Sequence, residues 1–298
     1  MYAAIVSEFA AAIAAAGLTP PEEIVADDRR HRFSTNGKRS DDSGWYVLHA
    51  DGTPAGAFGD WRSGVSQTWR ARNARQPTPA EQAALRERIR SAQSERERQL
   101  QAQHAAARVR AGEIWQDAKP APASHEYLRA KAIGPHTLRV CRGALAAPMR
   151  TADGVMRSLQ FIRADGAKRF LTGGRVSACY FGIGALPKAG APLIVAEGIA
   201  TAASIHEATG CAVAAAFSAS NLSAAATELH RKHRAAHIVI AADRDEFGTG
   251  EREAAKAAQA VRGVVALPPA LGDFNDLHRT EGAEAVREVF EKICKARA

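Results

Sequence analysis

Cysteine is scarce in this chain and never paired in sequence: Cys141, Cys179, Cys211 and Cys294 lie far apart, with no CxxC step. That spacing supplies neither a zinc site nor a disulfide framework, and it leads us to expect a reduced, cytoplasmic protein without zinc. Long apolar runs are missing too. The stretch MYAAIVSEFAAAIAAAGL is interrupted by Glu8 and has no cationic leader before it, so it fits neither a signal peptide nor a membrane span. Ile5, Phe9 and Ile13 recur there at helical spacing, which predicts a packed amphipathic helix and no membrane partner. No Ser-His-Asp or catalytic cysteine arrangement stands out.

What remains is a chain of 298 residues, 46% hydrophobic, enough for one large domain or two smaller ones. Its net charge of +8 makes polyanions candidate partners, an argument about association and not about fold. We expect four segments. Residues 1–72 hold the first helix, the LTPPEE break and a small β-rich module with turns at Asn36-Gly37 and Asp51-Gly52. Residues 73–120 form a long helix, opened by Thr78 as N-cap, Pro79 and Glu81 in capping-box spacing. From Arg62 to Arg110 there are eleven arginines against four glutamates, which reads as a solvated connector or as a basic strut beside a nucleic-acid path. Residues 121–190 form an α+β piece. Its SLQFIRADGAKRFLTGG is a hairpin with Leu159 and Phe161 on one face, a turn at Asp165-Gly166, and Phe170 and Leu171 returning. Arg157, Arg163, Lys168 and Arg169 around that turn are either phosphate-binding cations or ordinary solvated ones.

From residue 191 to 298 the rhythm becomes β-α-β-α. Strands LIVA, CAVAAAF, HIVIAA and VVAL alternate with helices near 200–209, 221–235 and 250–262, and a last helix follows near 281–295. Short continuous apolar strands between helices predict a parallel sheet covered on both faces. Two of those strands end in acids: Glu197 follows LIVA, and Asp243 and Asp245 follow HIVIAA. In open parallel sheets ligands bind beyond the carboxyl ends of the strands. Three acids meeting there would raise one another's pKa unless a cation sits among them, and oxygen ligands without His or Cys suit Mg²⁺ or Mn²⁺. Gly198 permits a tight turn into a helix whose N-terminus is itself an anion site. In GDFNDLH, Asp273 and Asp276 are either further metal ligands or caps of the following helix.

Glu197-Gly198 followed by Asp243-x-Asp245 in this setting resembles the Toprim domain shared by bacterial primases, topoisomerases and several nucleases. EGIATA (197–202) is similar to the EGYATA motif of primases from conjugative plasmids and satellite phages, with Ile199 in place of tyrosine, and the hairpin resembles the segment before the Toprim domain in DnaG-type primases. The resemblance covers roughly residues 120–290. It implies a Rossmann-like parallel Toprim sheet, preceded by the α+β subdomain, the basic helix and the β-rich module. It further implies catalytic, metal-binding roles for Glu197, Asp243 and Asp245, with Glu197 alternatively a general acid or base. Lys168 and Arg169 would hold phosphates of the nucleotide or template. The implied activity is primer synthesis on single-stranded DNA from nucleoside triphosphates, serving replication of a plasmid, phage or other mobile element. No Walker A sequence is present, so a replicative helicase would be a separate partner.

Other classes stay open at this point. A metal-dependent Toprim nuclease and a non-catalytic DNA-binding subunit are the alternatives. His230, His233 and His237 fall at i, i+3 and i+7, a zinc-like spacing on a helix peppered with cations. Trp45, Tyr46, Phe58, Trp61 and Trp69, interleaved with Arg62 and Arg70, are either the core of a small β module or a base-stacking platform, with Trp61, Arg62 and Arg70 the candidate DNA contacts.

Overall fold

The computed structural model describes residues 2–38, 41–51, 54–71, 78–185, 187 and 190–295. Gly52 of the second turn, the Glu81 carboxylate of the capping box and the Cys294 side chain lie outside the described residues. The chain divides into two compact units, Met1–Ser94 and Glu95–Ala298.

In the first unit, helix α1 (Tyr2–Ala15) precedes a four-stranded antiparallel meander of β1 (His31–Phe33), β2 (Gly44–His49), β3 (Ala55–Asp60) and β4 (Val65–Arg70). Phe9 and Ile13 are fully buried, as their spacing predicts, among Phe33, Tyr46, Leu48 and Phe58. The Phe9 ring meets Tyr46, Phe58 and Trp69 edge-on at 5.3–6.0 Å. Gly56 makes room for it, since a Cβ there would come within 2.7 Å of the Phe9 ring. The alternation of a strand sends Tyr46 and Phe58 into this core and Trp45 to the other face.

Asp41 is a buried polar anchor of the unit. Its carboxylate accepts hydrogen bonds from the Thr35 backbone and hydroxyl and from the Ser43 hydroxyl, and it pairs with Arg62 at 2.9 Å.

The second unit begins within helix α2 (Pro79–Asp117), whose exposed Leu85, Ile89, Leu100 and Val109 form no seam. Only its last turns bury a face: Ala111, Ile114 and Trp115 pack on Ala146, Leu159 and Phe161. Those residues belong to an antiparallel sheet of β5 (Lys119–Pro120), β6 (Arg139–Cys141), β7 (Ala144–Arg150), β8 (Met156–Ile162) and β9 (Lys168–Phe170), with α3 (Glu126–Lys131) inserted after β5. The predicted hairpin is β8–β9, with Gln160 opposite Phe170 and Ile162 opposite Lys168. Leu159 and Phe161 share a face of it, and Gly166 in its turn has φ 85°.

The C-terminal part is a five-stranded sheet of β10 (Phe181–Ile183), β11 (Pro192–Ala196), β12 (Ala212–Ala215), β13 (His237–Ala241) and β14 (Val264–Ala266), in the order β10-β12-β11-β13-β14. β11 to β14 are mutually parallel; β10 is an antiparallel edge that the sequence pattern does not announce. Helices α4 (Ile199–Thr209), α5 (Ala219–Lys232), α6 (Thr249–Val261) and α7 (Phe274–Lys295) complete it. The last helix starts at Phe274, earlier than expected, because Asp273 accepts backbone N–H bonds from Asn275 and Asp276; Gly282, with φ 87°, then breaks its line. Alternate residues of β11 feed opposite cores. Ile194 and Ala196 pack with α4, α7 and the antiparallel sheet, whereas Leu193 and Val195 pack with α5 and α6. Burial on both faces explains the unbroken apolar strands. Among the described residues no helix is long and apolar enough to cross a membrane.

Burial pushes the Asp41 carboxyl up, but the hydrogen bonds from Ser43 and Thr35 outweigh it and hold it at about 2; Asp60, bound by Ser63 and Arg62, is also lowered to about 2. Their folded pKa values lie below the unfolded value, so the stability they add is complete above about pH 4 and drains away as pH falls toward 2. Three of the four tryptophans (Trp45, Trp61, Trp69) lie in this unit and report its unfolding. Urea midpoints followed by tryptophan fluorescence should drop between pH 4 and pH 2.5 in the wild type, and Asp41→Asn should lower the neutral-pH midpoint and flatten that drop.

Candidate active site at the strand ends

β11 and β13 lie side by side, with Ala196 opposite Ala241. The chain leaves β11 into α4 on one face and leaves β13 into α6 on the other. Neighbouring strands whose helices diverge in this way open a crevice at their carboxyl ends. Glu197 follows the first strand directly, and Asp243 follows the second by one residue.

A second pairing closes the crevice from below. Arg244 and Gly272 form an isolated antiparallel bridge, each donating its N–H to the other's carbonyl at 2.9 Å. That bridge brings the loop of Asp243 and Asp245 against the loop of Asp273 and Asp276. The Arg244 side chain reinforces it by donating to the Pro269 carbonyl at 3.0 Å.

The acids have different surroundings. The Asp243 carboxyl is pushed up to about 7, first by burial and then by the negative charges of Asp273 and Glu197; Lys168 opposes the shift. Its Oδ1 is buried and has no hydrogen-bond partner. Glu197 is also raised, chiefly by burial, although the Ala219 N–H at the start of α5 and the charge of Lys168 pull it down. Asp245 is lowered, because its two oxygens accept backbone N–H bonds from Phe247, Thr249 and Gly250, and it thereby caps α6. Asp273 caps α7 and accepts from the buried Thr201 hydroxyl at 3.1 Å, while Asp276 accepts from the Asp273 N–H. The capping reading of Asp273 is therefore structural fact, and Asp276 answers it from one turn on.

Among the described residues no three His, Cys, Asp or Glu side chains already stand as a closed metal-holding group. The acids face one crevice as a partial set of hard oxygens, with Asp243 Oδ1 unsatisfied. Such a set fits an ion that keeps its own waters and takes one or two carboxylates from the protein. His230 lies in the last turn of α5, His233 caps it and His237 begins β13, and among the described residues they form no metal-holding group.

The cations of the hairpin separate. Adjacent residues of a strand point to opposite faces, and Lys168 turns its charge toward Glu197 and Asp243, whereas Arg169 lies over the Phe161 ring on the α2 side. Arg169 and Arg163 line a cavity of about 950 Å³ there. Arg157 lines a different one with Arg108 and Arg175. Phe170, on the face of Lys168, meets Phe217 edge-to-face at 6.3 Å. Phe217 follows β12 with φ 71°, a strained conformation for a bulky residue and one that accompanies functional clefts. Trp61, Arg62 and Arg70 belong to the first unit.

Residues 192–284 match the Toprim domain family, and this part of the chain is a Toprim domain. Over 277 residues the chain is 36% identical to a DNA primase TraC of Escherichia coli, and over 283 residues 34% identical to a second E. coli protein of that name. Each match takes in 88% of this chain, which spans 26% and 19% of those relatives' lengths. Among solved structures, the primase fragment of the bacteriophage T7 primase-helicase protein superposes with a TM-score of 0.44 at 19% identity, covering 55% of this chain and 73% of that one.

Sequence reasoning missed Thr201, Phe217 and Gly250, and it misjudged Gly198. At Gly198 φ is −99° and a Cβ would meet only Thr201 Oγ1 at 3.4 Å, so the turn does not need glycine. At Gly250 a Cβ would lie 2.4 Å from the Asp243 carbonyl oxygen. Replacing glycine by alanine in a helix normally stabilises by up to about 1 kcal/mol. Gly250→Ala should reverse that sign and cost about 1–3 kcal/mol by forcing the Asp243 loop away, while Gly198→Ala should stay within about 0.5 kcal/mol of wild type. Thermal melts of the two variants check this contrast.

Proposed function

We propose that this chain carries the primer-synthesising core of a plasmid-type DNA primase. The observation that bears most weight is the crevice itself: Asp243 with an unsatisfied buried oxygen, Glu197 beside it, and Lys168 brought to both from the hairpin before the Toprim domain. The identity to the E. coli primases over 88% of the chain supports the same reading. The reaction is attack of a primer 3′-hydroxyl on the α-phosphate of a nucleoside triphosphate, forming the new phosphodiester and releasing pyrophosphate.

Asp243 and Glu197 are the oxygens that would hold Mg²⁺ or Mn²⁺, with Asp245, Asp273 and Asp276 able to reach its bound waters. When bound, the divalent ion makes the 3′-hydroxyl a better nucleophile and neutralises the leaving pyrophosphate. Lys168 binds a phosphate oxygen of the nucleotide, a role suited to an exposed ammonium that already faces two acids. Helix α4 has no side-chain cap at Gly198, so its first-turn N–H groups are aimed at phosphate. Arg157, Arg163 and Arg169 lie on other faces of the same subdomain and guide the template strand by its backbone.

With Mg²⁺ or Mn²⁺, nucleoside triphosphates and single-stranded DNA, the purified chain should make short primers. Asp243→Asn should lower synthesis at least 100-fold while its melting temperature stays at or above wild type, because the substitution removes a crowded charge and no hydrogen bond. Asp245→Asn should also inactivate, but with a lower melting temperature, since it spoils the cap of α6. Full activity in Asp243→Asn would remove the metal role, and degradation of the template without extension would replace the polymerase by a nuclease.

A further inference from the structure

The sheet of the N-terminal unit has two unlike faces. One is sealed by α1; on the other, among the described residues, no element of that unit is packed. In register across the second face run Arg32 of β1, Trp45 of β2, Gly59 of β3 and Ser66 of β4. Gly59 has a defined purpose in this row. The Trp45 indole lies across it, and a Cβ there would come within 2.8 Å of the ring nitrogen.

Trp61, just past the end of β3, stands beside that indole with ring centroids 6.0 Å apart, yet remains 60% exposed. The Arg30 guanidinium lies 5.2 Å from the Trp45 centroid and 5.9 Å from that of Trp61. Arg30, Arg32, Ser43 and Trp61 line a shallow cavity of about 560 Å³. Arg62 touches the buried Asp41 at one end, but its side chain is 65% exposed and keeps donors toward solvent.

A large aromatic held in place by neighbours on one side and left open on the other is an unfilled stacking position. The cations around it are guanidinium groups, which suit phosphate and planar rings alike. We propose that this face of the N-terminal unit is a stacking platform for single-stranded DNA, with a base laid on Trp61 and the flanking phosphates met by Arg30, Arg32 and Arg62. A duplex cannot use it, because its bases are already stacked inside. The platform rests on the template-directed reading above and assigns the template a contact outside the catalytic crevice.

The test uses the full chain and a short labelled oligothymidylate, with affinity read by fluorescence anisotropy. Stacking is worth about 1–3 kcal/mol per base, so Trp61→Ala should weaken binding roughly 10-fold or more and Trp61→Phe should restore most of it. Arg30→Ala should weaken it roughly 5-fold. An abasic strand of equal length, and a duplex, should bind wild type and Trp61→Ala alike. Unchanged melting temperatures check that the exposed substitutions leave the fold intact. Equal oligothymidylate affinity for wild type and Trp61→Ala overturns the platform, as does an equal loss on the abasic strand. If wild type makes primers but Trp61 proves irrelevant, the platform alone fails; if binding depends on Trp61 but no primer appears, the primase reading alone fails.

Discussion

Everything chemical in the second unit follows from one topological constraint, the adjacency of β11 and β13 with helices departing to opposite faces. A strand covered on both sides must be apolar along its length, so polar groups can enter only where it stops. Here they stop at neighbouring points, at Glu197 and Asp243. Burial raises the pKa of both carboxylates, and neighbouring charges add to it: Asp273 and Glu197 at Asp243, Asp245 and Asp273 at Glu197. Lys168 offsets part of that repulsion from across the crevice, but Asp243 Oδ1 is left with no donor. A fold stable through its two alanine-rich cores tolerates this local conflict, and it is the conflict that the proposed divalent ion would relieve.

The other acids steady the frame. Asp245 spends both oxygens on the first turn of α6, and Asp273 spends one on α7 and one on Thr201. Each cap fixes one loop, and the Arg244–Gly272 bridge locks the two loops together. A carboxylate so engaged retains lone pairs, yet it cannot swing freely. The acids therefore divide: Asp245 and Asp273 hold the loops, and Asp243 Oδ1 is left without a partner. Gly250 belongs to the same device, because only a residue without Cβ lets α6 begin against the Asp243 carbonyl.

The parts legible in the sequence are those set by local pattern. Continuous apolar runs marked β11 and β13, the acids after them marked the crevice, and helical spacing marked α1. Strand parity was also available for the hairpin, where consecutive Lys168 and Arg169 must face opposite ways, and the structure turns one to the acids and the other to the α2-side cavity. The same parity separates Trp45 from Tyr46, so neither reading of the N-terminal aromatics applies to all of them: Tyr46 and Phe58 are core and Trp61 is surface. What no local pattern carried was tertiary contact. β10 is three residues long and exists by pairing with β12. The need for glycine at 250 rather than at 198 depends on a carbonyl seven residues away in a different turn.

The N-terminal unit shows how a module this small can serve both a core and an outer aromatic surface. Its third strand has almost no side-chain volume at two places. Gly56 yields to the Phe9 ring from one side and Gly59 to the Trp45 ring from the other. A strand built of ordinary residues would hold both rings off the backbone and loosen each face. Because β3 is bonded to β2 and β4 over its full length, it keeps its shape at the two glycines without side-chain packing there. The glycines therefore weaken propensity locally and strengthen packing on both faces. That exchange fixes the orientation of Trp45, and through it the orientation of the exposed Trp61 beside it.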